Sequence, residues 1–368
     1  MTLRDRLLGS ARDPFWASSL AVLTALAVSF LFIAASGKDA ALGFVHLLQG
    51  AAGGAGPLGE TAIKSAVLIL TGLSVAVAFT VGLFNIGGEG QLIWGALAAA
   101  VAGRALDLPA ALLVPASLLA AAAAGALWGL LPGALKVYRG VHEVISTILL
   151  NWVAIHLVHG WLVVGPLAAR GSGSDISLAG TAPIRSAAWL PRLLSGSRLD
   201  LGFPIALACA AAAWFCLTRT RIGFEWRAVG TGAGAAEASG VPIRRRVCQA
   251  MALSGALCGL AGALLVLGTE HRYPGVFRTG YGFDGIAVAL IGGATAPGVV
   301  AAGLVFGALR AGATRLQLIG IHPSFAELIQ GIAVLLVAAP RIFQPIFRRL
   351  RRTEQPAASA PPIPTVQP

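Results

Sequence analysis

The chain has 368 residues, 57% of them hydrophobic and only 11% charged, with a formal charge of +12 at pH 7 and a mean hydropathy of +0.80. A soluble domain carries about a quarter charged residues, so a water-facing surface over most of the chain is excluded and lipid is the expected solvent. The basic excess does not read as a nucleic-acid footprint, because the arginines punctuate apolar runs and do not line an amphipathic face.

Arg4, Arg6 and Arg12 precede a first uncharged run, Trp16–Ala35, too long for a cleaved signal. A bilayer span needs about 20 apolar residues, and on that basis spans are expected near 16–35, 62–83, 88–103, 108–131, 143–165, 201–217, 247–268 and 324–340. Gly285–Leu309 is also uncharged, but Gly292-Gly293 and Pro297-Gly298 interrupt it. One span there would put Arg348–Arg352 and Arg4–Arg12 on opposite sides. Two shorter elements bring both basic ends to the cytoplasm, with Lys136, Arg139 and Arg219–Arg246. The expectation is an all-α polytopic membrane protein of about ten transmembrane helices over 16–340. Its flanks are a cytoplasmic N-terminus 1–15, an external loop 166–200, an internal loop 218–246, and a basic, then disordered cytoplasmic tail 341–368.

Small residues recur at four-residue spacing at Gly125, Gly129 and Gly133, at Gly255 and Gly259, and at Gly303 and Gly307. Such stripes let helix backbones approach closely in lipid. Two apolar segments are broken by glycines around an acid: Gly82–Gln91 with Glu89, and Tyr281–Gly293 with Asp284. Interrupted segments at corresponding positions of two halves point to an inverted repeat with a central binding site.

A carboxylate at membrane depth faces protein or water. Glu89 reads either as a pathway element, with Asn85 and Gln91 offering donors and acceptors to a polar solute, or as an acid capping a broken helix. Asp284 has the same two readings. Lys64 and Arg104 are expected to snorkel from span ends. His156 and His159, without a nearby acid or cysteine, read as a structural pair. External Arg170, Arg185, Arg192 and Arg198 read as loop solvation. Cys209, Cys216, Cys248 and Cys258 lack CxxC spacing and read as small buried hydrophobes. No metal site and no cofactor is expected. The chain has no G-x-x-x-x-G-K-[ST], HExxH or nucleophile elbow, so it reads as a transporter without its own ATPase and not as an enzyme. Within Arg219–Arg246, a short helix is expected near Ala233–Ser239.

Four segments resemble permeases of ATP-binding cassette importers of the branched-chain amino acid, ribose and nucleoside group. They are Gly82–Gln91 (GLFNIGGEGQ), Leu131–Asn151 (LPGALKVYRGVHEVISTILLN), Arg227–Val241 with Met251–Gly262 (MALSGALCGLAG), and Gly282–Gly293 (GFDGIAVALIGG), in family order between Leu58 and Ala339. FNIGGEGQ with EVISTILLN is similar to the nucleoside and simple-sugar branch.

The resemblance implies a bacterial inner-membrane permease for nucleosides or simple sugars. It also implies an ATPase on a partner chain, a second homologous permease (or a self dimer) and an external binding lipoprotein. Asn85, Glu89 and Gln91 would line or shape the substrate pathway, with Asp284 joining them on its place in the second interrupted segment and not on the resemblance; Arg227, Ala228, Gly230, Ala235, Ala236 and Gly240 would couple to the ATPase. Glu143 and Asn151 fall in the motifs with no assigned role. His142 replaces the branch's usual Asn, and Thr231–Gly234 departs from a common Asn-Pro. An ion-coupled secondary transporter is the competing reading.

Overall fold

The computed structural model of the chain describes residues 39–169, 180–194, 196–275, 277 and 280–317, with isolated positions between 24 and 34 and between 320 and 335. The expected spans 16–35 and 324–340 lie largely outside these residues. Both ends, 1–15 and 341–368, lie wholly outside them, as does Arg170.

The described residues form helices, with isolated bridges and no strand among them. In chain order they are α1 (Ala40–Ala52), α2 (Ala55–Thr80), α3 (Gly88–Ala105), α4 (Ala110–Arg139), α5 (Glu143–Leu157), α6 (Gly202–Arg219), α7 (Arg221–Thr231), α8 (Ala233–Ala238), α9 (Ile243–Leu265), α10 (Tyr281–Ile291) and α11 (Ala296–Leu316). Wider π turns extend α5 over Val158–Leu162 and α9 over Val266–Glu270. Among the described residues six helices are long and apolar enough to cross a membrane: α2, α4, α6, α11, and α5 and α9 with their extensions.

Some elements depart from the sequence expectation. Helix α1 was not foreseen, although Asp39 signals its start by accepting the Leu42 N–H at 3.0 Å. The break in 285–309 is present, but its halves are unequal. Helix α10 has 11 residues, and α11, with 21, is long enough to cross alone. The chain turns at Gly293 and Ala294, both at positive φ. Thr295 then caps α11 by accepting the Gly298 N–H, with Pro297 in the first turn where a missing donor is harmless.

Helices α2 and α9 form the hub. In their most apolar windows 83% and 78% of residues are buried, against 28% for α4 and α5 and 22% for α6, whose outer faces are left for lipid. The glycine stripes explain how the hub closes. A Cβ added at Gly255 of α9 would collide with the carbonyl of Gly125 on α4, and one at Gly259 with the carbonyl of Ala121. On the other flank of α9, Gly262 meets the Leu92 carbonyl of α3. Gly303 and Gly307 of α11 pack in the same way on Ile69 and Ser65 of α2.

The loop between α5 and α6 lies on the segment after α9. Thr181, Ile184 and Leu190 donate their backbone N–H groups to the carbonyls of Tyr273, His271 and Leu267 at 2.9–3.0 Å. Arg198 adds an ion pair to Glu60 at 2.8 Å, and Arg185 pairs with Asp107.

Because backbone faces backbone at Gly255, Gly255→Val is expected to cost about 3 kcal/mol by forced overpacking, read as a lowered thermal midpoint of the purified chain in detergent. Gly234→Ala, where an added Cβ meets nothing within 4 Å, is expected to leave the midpoint unchanged.

Candidate functional site

Helix α2 ends at Thr80 and α3 begins at Gly88, so the seven residues 81–87 carry freed backbone groups inside the bundle. Gly82 turns the chain at φ +76, a conformation that side-chain-bearing residues rarely adopt. Asn85 accepts the Gly87 N–H on Oδ1 at 2.9 Å, closing an Asx turn. Its Nδ2 donates to Gln91 Oε1 at 3.0 Å and to Ser254 Oγ of α9 at 2.8 Å, and Gln91 Nε2 donates back to Asn85 Oδ1 at 3.2 Å. Ser254 passes its own proton to the Ser74 carbonyl at 2.7 Å. From α5, Asn151 accepts the Gly90 N–H and donates to the Ile86 carbonyl, both at 2.8 Å. Asn85, Gln91, Asn151 and Ser254 are all buried. A role for Asn151 thus emerges that its sequence position alone did not suggest: it bridges the two sides of the break.

Glu89 reaches out of this break to a second one. Its carboxylate accepts the Gly280 N–H at 3.1 Å and the Gly282 N–H at 2.9 Å, which are the free donors at the start of α10. It also sits in the first turn of α3, so one negative charge faces the positive ends of two helix dipoles. Backbone contact completes the joint, since a Cβ on Gly282 would strike the Glu89 nitrogen. The two interrupted segments seen in the sequence therefore meet at their glycines.

Asp284, one turn into α10, pairs with Arg310 of α11 at 3.0 Å, and the same guanidinium lies 4.0 Å over the Tyr281 ring. Lys64 corrects an expectation. Helix α2 starts at Ala55 and not near 62, so Lys64 lies well inside it and turns inward, donating to the Arg310 carbonyl at 3.2 Å. Arg104 does lie exposed in the last turn of α3. A cavity of about 960 Å³ opens toward the 180–200 loop, with Lys64 and Tyr281 among its lining. None of Asn85, Glu89, Gln91 and Asp284 lines it.

The arginine-rich loop holds two helices. Helix α8, Ala233–Ala238, is the short helix expected near Ala233–Ser239; Gly240 at φ +80 closes it. Helix α7 was missed. Its signals were the Thr220 cap on the Gly223 N–H and the apolar spacing of Ile222, Trp226 and Val229. Arg227 and Ala235 are exposed, Ala228 is half-buried and Ala236 is buried. Gly230 packs directly on the Thr80 carbonyl, and Gly82 packs back on Gly230. The loop thus touches the chain where the first break begins. Glu225, buried and also unforeseen, ties α7 to α9 by accepting from Arg221 Nε at 2.8 Å and Arg246 Nε at 2.5 Å.

Other candidates separate. His159 bonds the Tyr273 hydroxyl at 2.7 Å while His156 stacks on Trp152. Glu143 pairs with Lys136 at 2.8 Å across the α4–α5 turn, beside an exposed His142. All four cysteines are free, with Cys258 buried. Among the described residues no cluster of metal-ligating side chains occurs.

Glycine-packed helices, six of them among the described residues long and apolar enough to cross a membrane, and two broken segments joined at a buried acid are the architecture of a multi-pass membrane protein. Residues 58–338 match the family described as branched-chain amino acid transport system / permease component, and the chain belongs to that family. It is 39% identical to the guanosine ABC transporter permease protein NupP of Bacillus subtilis over 90% of this chain and 95% of that one. It is 34% identical to the glucose ABC transporter permease protein TsgB13 of Haloferax volcanii (88% and 87%), and 30% identical to the nucleoside ABC transporter permease protein NupB of Lactococcus lactis (88% and 91%). No solved structure matches the chain.

Asn151→Ala leaves a buried N–H and a buried carbonyl without partners, and is expected to cost about 2–3 kcal/mol, measured as a loss of thermal midpoint in detergent. The pH dependence of the loop has a definite sign. Arg246 first, then Arg221, hold the Glu225 carboxyl below its ordinary value of 4.5. A lowered folded-state pKa contributes stability that is present above the unfolded value and is lost as pH falls through the folded one. The mobility of a spin label attached at neutral pH to a cysteine placed on α7 should therefore stay constant from neutral pH down to about 4.5 and rise only below it; a rise well above 4.5 would refute the pairing.

Proposed function

We propose that the chain is the membrane-spanning permease subunit of an ATP-driven importer of nucleosides, with simple sugars as the alternative substrate class. Two of the three relatives described act on nucleosides by name and one on glucose, which supports that order. The observation that carries the mechanism is one continuous joint. The loop helix α7 abuts Thr80 and Gly82 at one end of the break, and Glu89 at its other end holds the start of α10.

In this reading the bundle has about ten transmembrane helices in two inverted repeats, with α3 and α10 as the corresponding broken segments. Their N-termini meet at Glu89, as expected of half-helices around a central site. The 218–246 loop is cytoplasmic by its arginine excess and docks a separate ATPase through the surface that Arg227 and Ala235 expose, with Ala228, Gly230, Ala236 and Gly240 shaping the loop behind it. The 180–200 loop faces outward toward a substrate-binding lipoprotein, and a second permease chain, or a second copy, completes the channel. ATP-driven closure of the ATPase displaces α7, α7 displaces the Thr80–Gly82 corner, and the break transmits the shift to the Glu89–α10 joint. Opening that joint uncovers Asn85, Gln91 and Asp284 to solute. The chain itself needs no cofactor.

Radiolabelled guanosine uptake into proteoliposomes, with the partner subunits and internal ATP, tests the reading. Uptake is expected only with ATP; equal flux without ATP overturns it, and collapse by a proton uncoupler at constant ATP favours the ion-coupled alternative. Glu89→Gln is expected to lower uptake with assembly intact. Arg227→Glu is expected to abolish substrate-stimulated ATP hydrolysis, and unchanged stimulation would remove Arg227 from the docking surface.

A further inference from the structure

A second cavity, of about 650 Å³, opens on the arginine-rich face between the end of α4 and the start of α9; Leu130, Tyr138, Glu237, Arg244, Arg245 and Cys248 are among its lining. None of Asn85, Glu89, Gln91 or Asp284 borders it. We propose that it binds the headgroup of an anionic phospholipid, held as a singly charged phosphodiester.

Three observations place such a headgroup there. The first is depth. Helix α4 has 30 residues, a length of about 45 Å against a hydrocarbon core of about 30 Å. Its last turn, with Tyr138, therefore reaches the headgroup layer where amphipathic aromatics belong.

Charge is the second. Arg244, Arg245 and Arg246 crowd the first turn of α9, where the helix dipole disfavours cations. Arg246 is taken by Glu225. Arg244 lies 5.8 Å over the Tyr138 ring, and among the described residues neither it nor Arg245 has a carboxylate within ion-pair distance. With Glu237 counted, these three side chains of the wall sum to one positive charge, which suits one phosphodiester better than a doubly charged phosphate monoester.

The third is an acyl track. Leu127, Leu131 and Leu135 are exposed at 67%, 45% and 39%, and they continue at helical spacing to Tyr138 at 64%. They form one apolar stripe running from the cavity up the outer face of α4. A free phosphate would use the arginines and leave this stripe idle; a lipid uses both. Basic pockets between membrane helices recognise anionic headgroups in this way.

The test is native mass spectrometry of the full-length chain released from nanodiscs of phosphatidylglycerol or of phosphatidylcholine. Retained phosphatidylglycerol and no retained phosphatidylcholine is the expected result, and it needs no variant. Arg244→Gln with Arg245→Gln is expected to lower retention about 30-fold, the product for two arginines near an anionic surface; Arg219→Gln, on the same face but away from the cavity, should not lower it. Arg244→Lys with Arg245→Lys keeps the charge and should restore most of the retention. Equal retention of both lipids, retention unaffected by the glutamine pair, displacement by inorganic phosphate, or loss of the lipid when the assembled complex with its ATPase is analysed would each overturn the proposal.

Discussion

Inside a bilayer a helix that stops must hand its free N–H and C=O groups to other protein groups, because no water is there to take them. The break at 81–87 meets that demand with a side chain of its own and one from each of two helices. Asn85 serves its own turn, Asn151 arrives from α5, and Ser254 arrives from α9 to receive the remaining Asn85 proton. Each is within 3 Å only because the helices behind it are in backbone contact. Gly255 and Gly259 let α9 sink against α4, and Gly262 lets it sink against α3, which puts Ser254 within reach of Asn85. The close packing and the irregular backbone are thus one requirement.

Glu89 shows how a costly group becomes a fastening. A charge at membrane depth costs about 2.5–3.5 kcal/mol on insertion scales, and hydrogen bonds to a charged group return about 1.5–3 kcal/mol each. Two such bonds, at the positive end of α10, offset the burial. The fastening is also of a particular kind. A carboxylate held by two N–H groups at a helix end is released by a displacement of about an ångström, which takes both bonds beyond the 3.2 Å limit of a sound bond.

What the sequence disclosed and what it withheld follow one physical division. Glycines, prolines and charges stand out against an uncharged background, so the glycine stripes, the break near Gly292 and helix α8 were legible. The likeness of the two interrupted segments was legible too. Their contact was not, because Glu89 and its two donors are separated by 191 and 193 positions. Asn151 carried no local mark of its task, since its partners lie 61 and 65 positions away. Helix α1 was hidden by its shortness between two spans. Lys64 was misplaced because a basic residue near an apolar run looks like its end, and here α2 simply starts earlier. Helix α7 was masked by Gly223 and Gly230, which read as loop but are needed for contact with Cys216 and Leu217 and with Thr80.

The last of these contacts bears on how a loop movement could reach the break. Gly230 meets the Thr80 carbonyl with no side chain between them, so no compliant group is available to absorb a shift of α7. A second route runs in parallel. Glu225 fixes α7 to Arg246, and from Arg246 the unbroken helix α9 leads to Ser254, which holds Asn85. Both routes end on the same few residues, one through the backbone at Gly82 and one through the side chain of Asn85. Spatial contiguity alone is an associational argument; coupling requires an element with two discrete arrangements that both ends bias. In this structure both donors at the start of α10 are on the Glu89 carboxylate.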